Sequence, residues 1–519
     1  MDSPGRVFCF KVVLNGFVKT SIVDEVKMDY KTFLELSKEY NKIPVYEKIT
    51  ADLLTPVLAY LKIREKGSNS FLLESVEGIG RLARYSFIGK NPAKIFMNEG
   101  ELLTIVEKDQ TSTIKKNIFD YLSEEITKSK DPKIDELPDF TGGIVGYLGY
   151  ENVALIEDVI KFNGRKQIDI HDSIFGLYDN IIAFDHFKHQ IILIANVNIT
   201  DSSDPHKLYD EAKAQLKKLR DELNANINFD LKFSSPEKIS HSIENDRFYE
   251  LVEQCKNNIF DGDVFQIVLS KRFSTHYSGD LLNVYRALRI INPSPYMYFI
   301  EYGSDFTIIG TSPEDLLKVK NRRATILPIA GTRRRGKTAD EDLEIEKELY
   351  ADPKEIAEHV MLVDLARNDL GRVCEYNSVE VTENMNVTRF SHVMHIVSRV
   401  EGDLENNKNS IDALKASFPA GTVSGAPKIR AIQLLNGYEN LKRGVYAGAV
   451  GYIDFKGNLD MCIAIRTLFA YKDKVYWQAG AGIVADSKPE LELKEINNKS
   501  AVLLNALKYA EVIDENPGN

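Results

Sequence analysis

The sequence predicts a mixed α+β protein, because two kinds of apolar periodicity alternate along it. Short runs of period two, of which VFQIVLSKRF (264–273) and MCIAIRTLFA (461–470) are the clearest, read as strands. Capped segments with helical periodicity at 200–226, 352–371 and 486–507 read as helices. At 519 residues the chain exceeds one ordinary domain, so it forms two domains or one large interwoven body.

Residues 30–200 alternate apolar runs with turn signals and contain LLESVEGIGRLARYSFIG (72–89). The lysine- and acid-rich run 110–137 reads as a surface helix and loop. TDSSDPHKLYDEAKAQLKKLRDELNAN (200–226) opens on capping residues and continues as a charged amphipathic helix. The polar stretch SSPEKISHSIEND (234–246) is the linker candidate, dividing an N-terminal region 1–235 from a C-terminal region 236–519. No internal repeat is found.

The strand at 264–273 sets Phe265, Ile267 and Leu269 on one face and Val264, Gln266 and Val268 on the other. A glutamine among valines needs a polar partner, from backbone or ligand. MCIAIRTLFA reads as one strand in which Arg466 shares a face with the small residues Cys462 and Ala464. That leaves room for a carboxylate held bidentately, or for a structural acid. FPAGTVSGAPKIRAIQLLNG (418–437) places Gly421, Thr422 and Gly425 before a helix ending near Gly437, so backbone N–H groups are offered to an anion. In WQAGAGIVADS (477–487), Gly480 and Gly482 permit close approach of a ligand or of a packed neighbour.

Four acids carry the strongest chemical signal. Glu355 with Glu358, and Glu492 with Glu495, repeat an i, i+3 spacing that puts each pair on one helix face. Two such faces brought together make a hard oxygen site suited to Mg2+. Helix capping competes with that reading. Asp352, Pro353 and Glu355 have the pattern of a cap, a first-position proline and a first-turn acid, and Ser487 with Glu490 has capping-box spacing. Capping leaves Glu358, Glu492 and Glu495 unexplained.

The net charge of −11 argues against nonspecific nucleic-acid binding, and Arg333–Arg335 is too short a basic cluster to alter that. Cys9, Cys255, Cys374 and Cys462 are scattered, which indicates neither a zinc site nor a disulfide framework and fits a reducing cytoplasm. No stretch approaches the roughly 18–20 apolar residues of a membrane span.

IGTSPE (309–314), PIAGTRRRG (328–336), EIAEHVMLVDLARNDLGRV (355–373), HIVSRVEG (395–402), FPAGTVSGAPK (418–428), YAGAVGYID (446–454), AIRT (464–467) and GAGIVADSKPELELKEINNK (480–499) together resemble the chorismate-utilising enzymes. The likeness covers nearly all of 240–510, and the LLES and RYSFIG segments extend it to the N-terminal region of anthranilate synthase component I. The resemblance implies large antiparallel β-sheets packed as a sandwich with helices outside.

It also implies roles. Mg2+ on Glu355, Glu358, Glu492 and Glu495 would receive the ring carboxylate of chorismate. Tyr446, Arg466, Lys499 and the backbone of Gly480, Ala481 and Gly482 would hold the enolpyruvyl side chain. Gly331, Thr332 and Thr422 would line the substrate and ammonia pocket. Glu314 matches the family's acid, against a reading as a helix first-turn residue after Ser312 and Pro313, and His395 matches its active-site histidine, whereas His392 does not.

Subtype follows from two positions. Water-adding relatives carry a lysine base where this chain has Gln266, and an amide cannot act as that base. Aminodeoxychorismate synthases, the runner-up, show PIKGT with a nucleophilic lysine where this chain has Ala330. Ammonia as nucleophile and anthranilate as product are therefore expected. None of the four cysteines sits in a glutaminase-like turn, so a separate glutaminase subunit is expected, in the family commonly as a heterotetramer. Glu74 and Ser75 facing Pro295, Tyr296 and Met297 read either as an ordinary packed contact between the two halves or as an effector pocket, and the resemblance implies the latter, with tryptophan as feedback effector. Val450 and Tyr452 would form a further wall, on one strand face with Tyr446.

Overall fold

The structure is a computed structural model that describes residues 28–75, 84–108, 110–162, 167–236, 238–389 and 393–514. Cys9, His392 and residues 76–83 lie outside them. Among the described residues, two twelve-stranded antiparallel sheets form the body of the molecule, beside a two-stranded pairing of Phe233–Ser234 with Ser278–Gly279. One starts at the edge strand Lys42–Thr50 and passes through Ser70–Glu74, Tyr296–Tyr302, Phe306–Ser312, Thr467–Tyr471 and Lys474–Ile483 to Gln266–His276. The other runs from Ile329–Arg334 through Val393–Asp403, Asp315–Lys320, Leu459–Ile463, Ala449–Asp454 and Gly143–Leu148 to the exposed edge strand Gln110–Lys115.

The strand alternation of the sequence is what makes a sandwich possible. In Gly143–Leu148, Val145 and Tyr147 enter the core between the sheets, while Ile144 and Leu148 enter a second core beneath outer helices. Tyr147 meets Tyr302 and Phe306 of the opposite sheet, and the Tyr302 hydroxyl donates to the Ile174 carbonyl at 3.0 Å. Both sheets cross residue 235. Ser70–Glu74 pairs with Tyr296–Tyr302, and Gly143–Leu148 with Ala449–Asp454.

Helices cover the outside, and their starts follow the caps. Asp204 accepts from His206 N at the head of Pro205–Asn224, and Asp352 accepts from Lys354 N and Glu355 N at the head of Pro353–Gly371. The expected capping box at Ser487 does not form. The last helix, Pro489–Val512, starts after Lys488, and the Ser487 hydroxyl instead accepts from Val484 N. The helix expected to stop near Gly437 continues to Glu439 and ends on left-handed Asn440. The run at 110–137 begins as a strand, because Gln110–Lys115 is a polar edge with no apolar face to betray it; the helix Ile118–Thr127 then buries Phe119, Leu122 and Ile126. No helix among the described residues is long and apolar enough to cross a membrane.

Candidate active site

Gln266 opens its strand and lies across from Lys474–Ile483, in a register that pairs Val268 with Gly482, Leu269 with Ala481 and Ser270 with Gly480. A Cβ at Gly482 would stand 2.5 Å from Gln266 Nε2, and one at Gly480 would stand 2.7 Å from the Tyr446 hydroxyl. The two glycines thus make room for two polar side chains over the backbone. Ala481 turns its methyl into the core, and Lys499 Nζ donates to the Gly480 carbonyl at 2.9 Å. Phe265, expected within the strand, precedes it and is 75% exposed.

MCIAIRTLFA is two strands rather than one. Leu459–Ile463 belongs to one sheet and Thr467–Tyr471 to the other, and Arg466 sits at the crossing with φ of +50°. A non-glycine residue in that region is strained, which is characteristic of functional sites. Burial works against the Arg466 charge, while Tyr446, Glu495 and Glu314 support it.

Glu314 lies in the turn between Phe306–Ser312 and Asp315–Lys320, so the helix first-turn reading falls. Burial pushes its carboxyl up to about 7, partly offset by Thr422, Lys499 and Arg466. Thr422 Oγ1 is buried and near enough to Glu314 to lower its carboxyl, although it falls short of a well-formed hydrogen bond. The flanking residues point the other way: Pro313 and Asp315 line a separate cavity. Glu314, between them, does not line that cavity.

Gly331 takes φ of +66° at a break in register between Ala330 and Thr332. The bulge turns its carbonyl toward His395, whose Nδ1 lies 3.0 Å from Gly331 O and 3.1 Å from Thr332 Oγ1. A carbonyl only accepts, so Nδ1 carries the proton and Nε2 keeps the lone pair. Burial holds the His395 pKa below its usual value.

The two glutamate pairs are brought together. Glu358 is raised by burial, then by Glu355 and Glu495, and Glu492 is raised by burial and by Glu495. Cations already attend two of the four. Lys499 Nζ lies 2.6 Å from Glu495, and Arg333 Nη1 lies 3.0 Å from Glu355. Among the described residues, no three His, Cys, Asp or Glu side chains stand ready to hold a metal.

All seven residues of the expected effector site, Glu74, Ser75, Pro295, Tyr296, Met297, Val450 and Tyr452, line one cavity of about 790 Å³ between the sheets. The Glu74 carboxylate accepts from the Tyr285 hydroxyl and lies 3.3 Å from Arg289 Nε. Asp315 and Asp460 supply further acids that the sequence reading missed. The expected strand face shared with Tyr446 is not found. Tyr446 occupies a turn before Ala449–Asp454 and packs in the outer core, whereas Val450 packs in the inner one.

The sequence profile described as chorismate binding enzyme matches residues 72–505. The chain belongs to the chorismate binding enzyme family. Among similar members of the family, anthranilate synthase component 1 of Acetivibrio thermocellus is 41% identical over 498 residues, covering 94% of this chain and 98% of the relative. The crystal structure of anthranilate synthase component I from Streptococcus pneumoniae superposes with a TM-score of 0.73 at 38% identity, covering 88% of this chain and 98% of that one. The menaquinone-specific isochorismate synthase of Escherichia coli shares the family fold, with a TM-score of 0.67 at 19% identity over 92% of this chain and 98% of its own. The sandwich of large antiparallel sheets is thus the fold of the chorismate binding enzymes.

Proposed function

We propose that the protein acts as anthranilate synthase component I, converting chorismate and ammonia to anthranilate and pyruvate in the first committed step of tryptophan biosynthesis. The observation that carries this reading is Glu314, a carboxyl protonated near neutral pH beside Arg466 and Lys499, two cations able to bind carboxylates. Arg466, Lys499, Tyr446 and the Gly480–Gly482 backbone hold the enolpyruvyl end. Ammonia forms a bond to C2, the two ring double bonds shift along the diene, and Glu314 gives its proton to the departing C4 hydroxyl, which leaves as water; the C2 ammonium so formed returns a proton to the Glu314 carboxylate. His395 then takes the C2 proton on Nε2. The C3–O bond breaks, the ring becomes aromatic, and the released enolpyruvate takes up a proton to become pyruvate.

Glu358, Glu492 and Glu495 would hold Mg2+, directly or through water, with Glu355 further out beside Arg333. Supporting this assignment, a cation would relieve the burial and mutual repulsion that raise Glu358 and Glu492, and would draw together carboxylates that do not yet form a metal-holding cluster. When bound, Mg2+ supplies positive charge for the ring carboxylate. Gln266 leaves the pocket without a base for water, and buried Ala330 offers no amine for covalent capture of the ring. Ammonia comes from a partner glutaminase subunit, component II. Tryptophan occupies the cavity between the sheets, where Met297, Val450 and Tyr452 meet its indole and the acids its ammonium group.

The test is purified chain with chorismate, Mg2+ and excess ammonium salt, the product being identified by mass and fluorescence. Anthranilate is expected. A product that keeps its enolpyruvyl group would reassign the protein to aminodeoxychorismate formation.

A further inference from the structure

Arg443 is 2% exposed, among the largest fully buried side chains of the described residues, and its surroundings are not those of an ordinary ion pair. Glu439 stands four residues earlier. The guanidinium grips its carboxylate at both ends, Nε to Oε2 at 2.8 Å and Nη2 to Oε1 at 2.6 Å. The remaining donors leave the pair. Nη1 donates to the Val423 carbonyl at 2.7 Å, and Nη2 to the Val268 carbonyl at 2.8 Å. Glu439 Oε1 in turn accepts from Ser270 N at 2.9 Å and Ser270 Oγ at 2.6 Å.

The aromatic neighbours extend the same junction. The guanidinium carbon lies 4.7 Å from the centre of the Tyr150 ring and 5.5 Å from that of Tyr446. The Tyr150 hydroxyl donates to Ser424 Oγ at 3.2 Å, and Glu151 of the N-terminal half accepts from Arg443 N and Gly444 N at 2.6 and 2.9 Å.

Three of these ties land on or close to pocket residues. Val423 follows Thr422, Val268 lies two residues beyond Gln266 on the same strand, and Tyr446 is touched directly. These three groups come from separate parts of the chain, and Arg443 reaches all of them. An ion pair kept for stability alone needs no such branching, because an apolar pair of similar volume packs as well or better. A lysine supplies charge without the planar fork, so it cannot meet Glu439, Val423 and Val268 together.

We infer that Arg443 is a positioning residue that sets the Thr422 segment, the Gln266 strand and Tyr446 in register around the substrate, without touching it. The inference rests on the proposed function for its substrate, chorismate. It assigns to a fully buried arginine a share of substrate affinity that no contact with substrate would reveal.

The test uses the full chain and two variants, Arg443→Lys and the double variant Arg443→Met with Glu439→Gln. The double variant removes both charges and keeps an acceptor for Ser270. Melting temperature reports the fold, calorimetric titration reports chorismate affinity, and steady-state assays with ammonium separate KM from kcat. Both the chorismate Kd and KM are expected to rise about tenfold or more in variants that melt cooperatively, with a smaller change in kcat. An unchanged KM and Kd, with turnover falling only as the folded fraction falls, would overturn the inference. So would failure of both variants to fold, since Arg443 would then serve the fold alone. If the parent chain binds no chorismate, the proposed function fails instead, and the two failures are read apart.

Discussion

At the scale of single residues, the chemistry depends on groups held away from their ordinary ionisation. Glu314 is raised to about 7 by burial, so its proton is available below that pH and lost above it. The rate constant kcat/KM for ammonia, corrected for the fraction present as free base, is expected to fall as pH rises through about 7. Glu314→Gln should abolish that limb and cost about 10²–10⁴-fold in turnover. Stability follows the same sign. A carboxyl raised from 4.5 to about 7 on folding contributes stability that is lost as pH climbs through that window, so Glu314→Gln should raise the melting temperature at pH 8 relative to the parent. Glu358→Gln removes one charge from the acidic group with little change of shape. It should raise the Mg2+ concentration for half-maximal activity by about 10–100-fold, and parent turnover that persists in chelator would refute the metal assignment. Gln266→Lys brings an amine beside Gly482 and is expected to divert some chorismate to isochorismate; mass analysis showing pure amination would count against a single-residue account of the nucleophile.

At the scale of elements, the sequence was most legible where one physical rule acted alone. Asp352 and Asp204 announced their helices because caps are local, and Gln266–His276 announced itself by alternation. The paired glutamates were legible for the same reason, since helical spacing fixes a face. Arg466 was misread because a strand that leaves one sheet and enters another keeps its alternation on both sides of the break; only its left-handed backbone marks the crossing. Tyr446 was misplaced by the same kind of event, a turn with Ala447 at φ of +63° just before the strand. Gln110–Lys115 escaped because an exposed edge has no buried face to pattern it. Arg443 was in plain view four residues after Glu439, yet the carbonyls it serves are distant in sequence. The pairing of Ser70–Glu74 with Tyr296–Tyr302 builds the wall of the large cavity, so substitutions there test its use. Ser75→Phe and Met297→Thr should leave ammonia-dependent turnover near that of the parent while weakening inhibition by tryptophan tens-fold, roughly the 1–3 kcal/mol of typical allosteric coupling. A parent whose chorismate saturation curve is unmoved by millimolar tryptophan would remove that role from the cavity.

At the scale of the whole molecule, the sheets weave the two halves into each other. Residues 236–519 expressed alone would leave Tyr296–Tyr302 and Ala449–Asp454 with unpaired internal edges, and are expected to aggregate. A soluble monomeric fragment with a cooperative melt would contradict this. The intact chain alone should use ammonium but not glutamine, and gain glutamine use when mixed with component II; steady glutamine-dependent synthesis by the pure single chain would expose a missed nucleophile. The placing of Glu314 between two cavity-lining residues, Pro313 and Asp315, has a quantitative consequence for any occupant of the cavity. A ligand that shifts this stretch of backbone for its own benefit also moves Glu314 and so alters the energy of a substrate it serves, and thermodynamic linkage makes the effect mutual. The factor by which a cavity ligand weakens chorismate must equal the factor by which chorismate weakens that ligand. Inhibitor potency is then a reading of the substrate level: a cell rich in chorismate would relieve its own inhibition without changing the inhibitor's concentration.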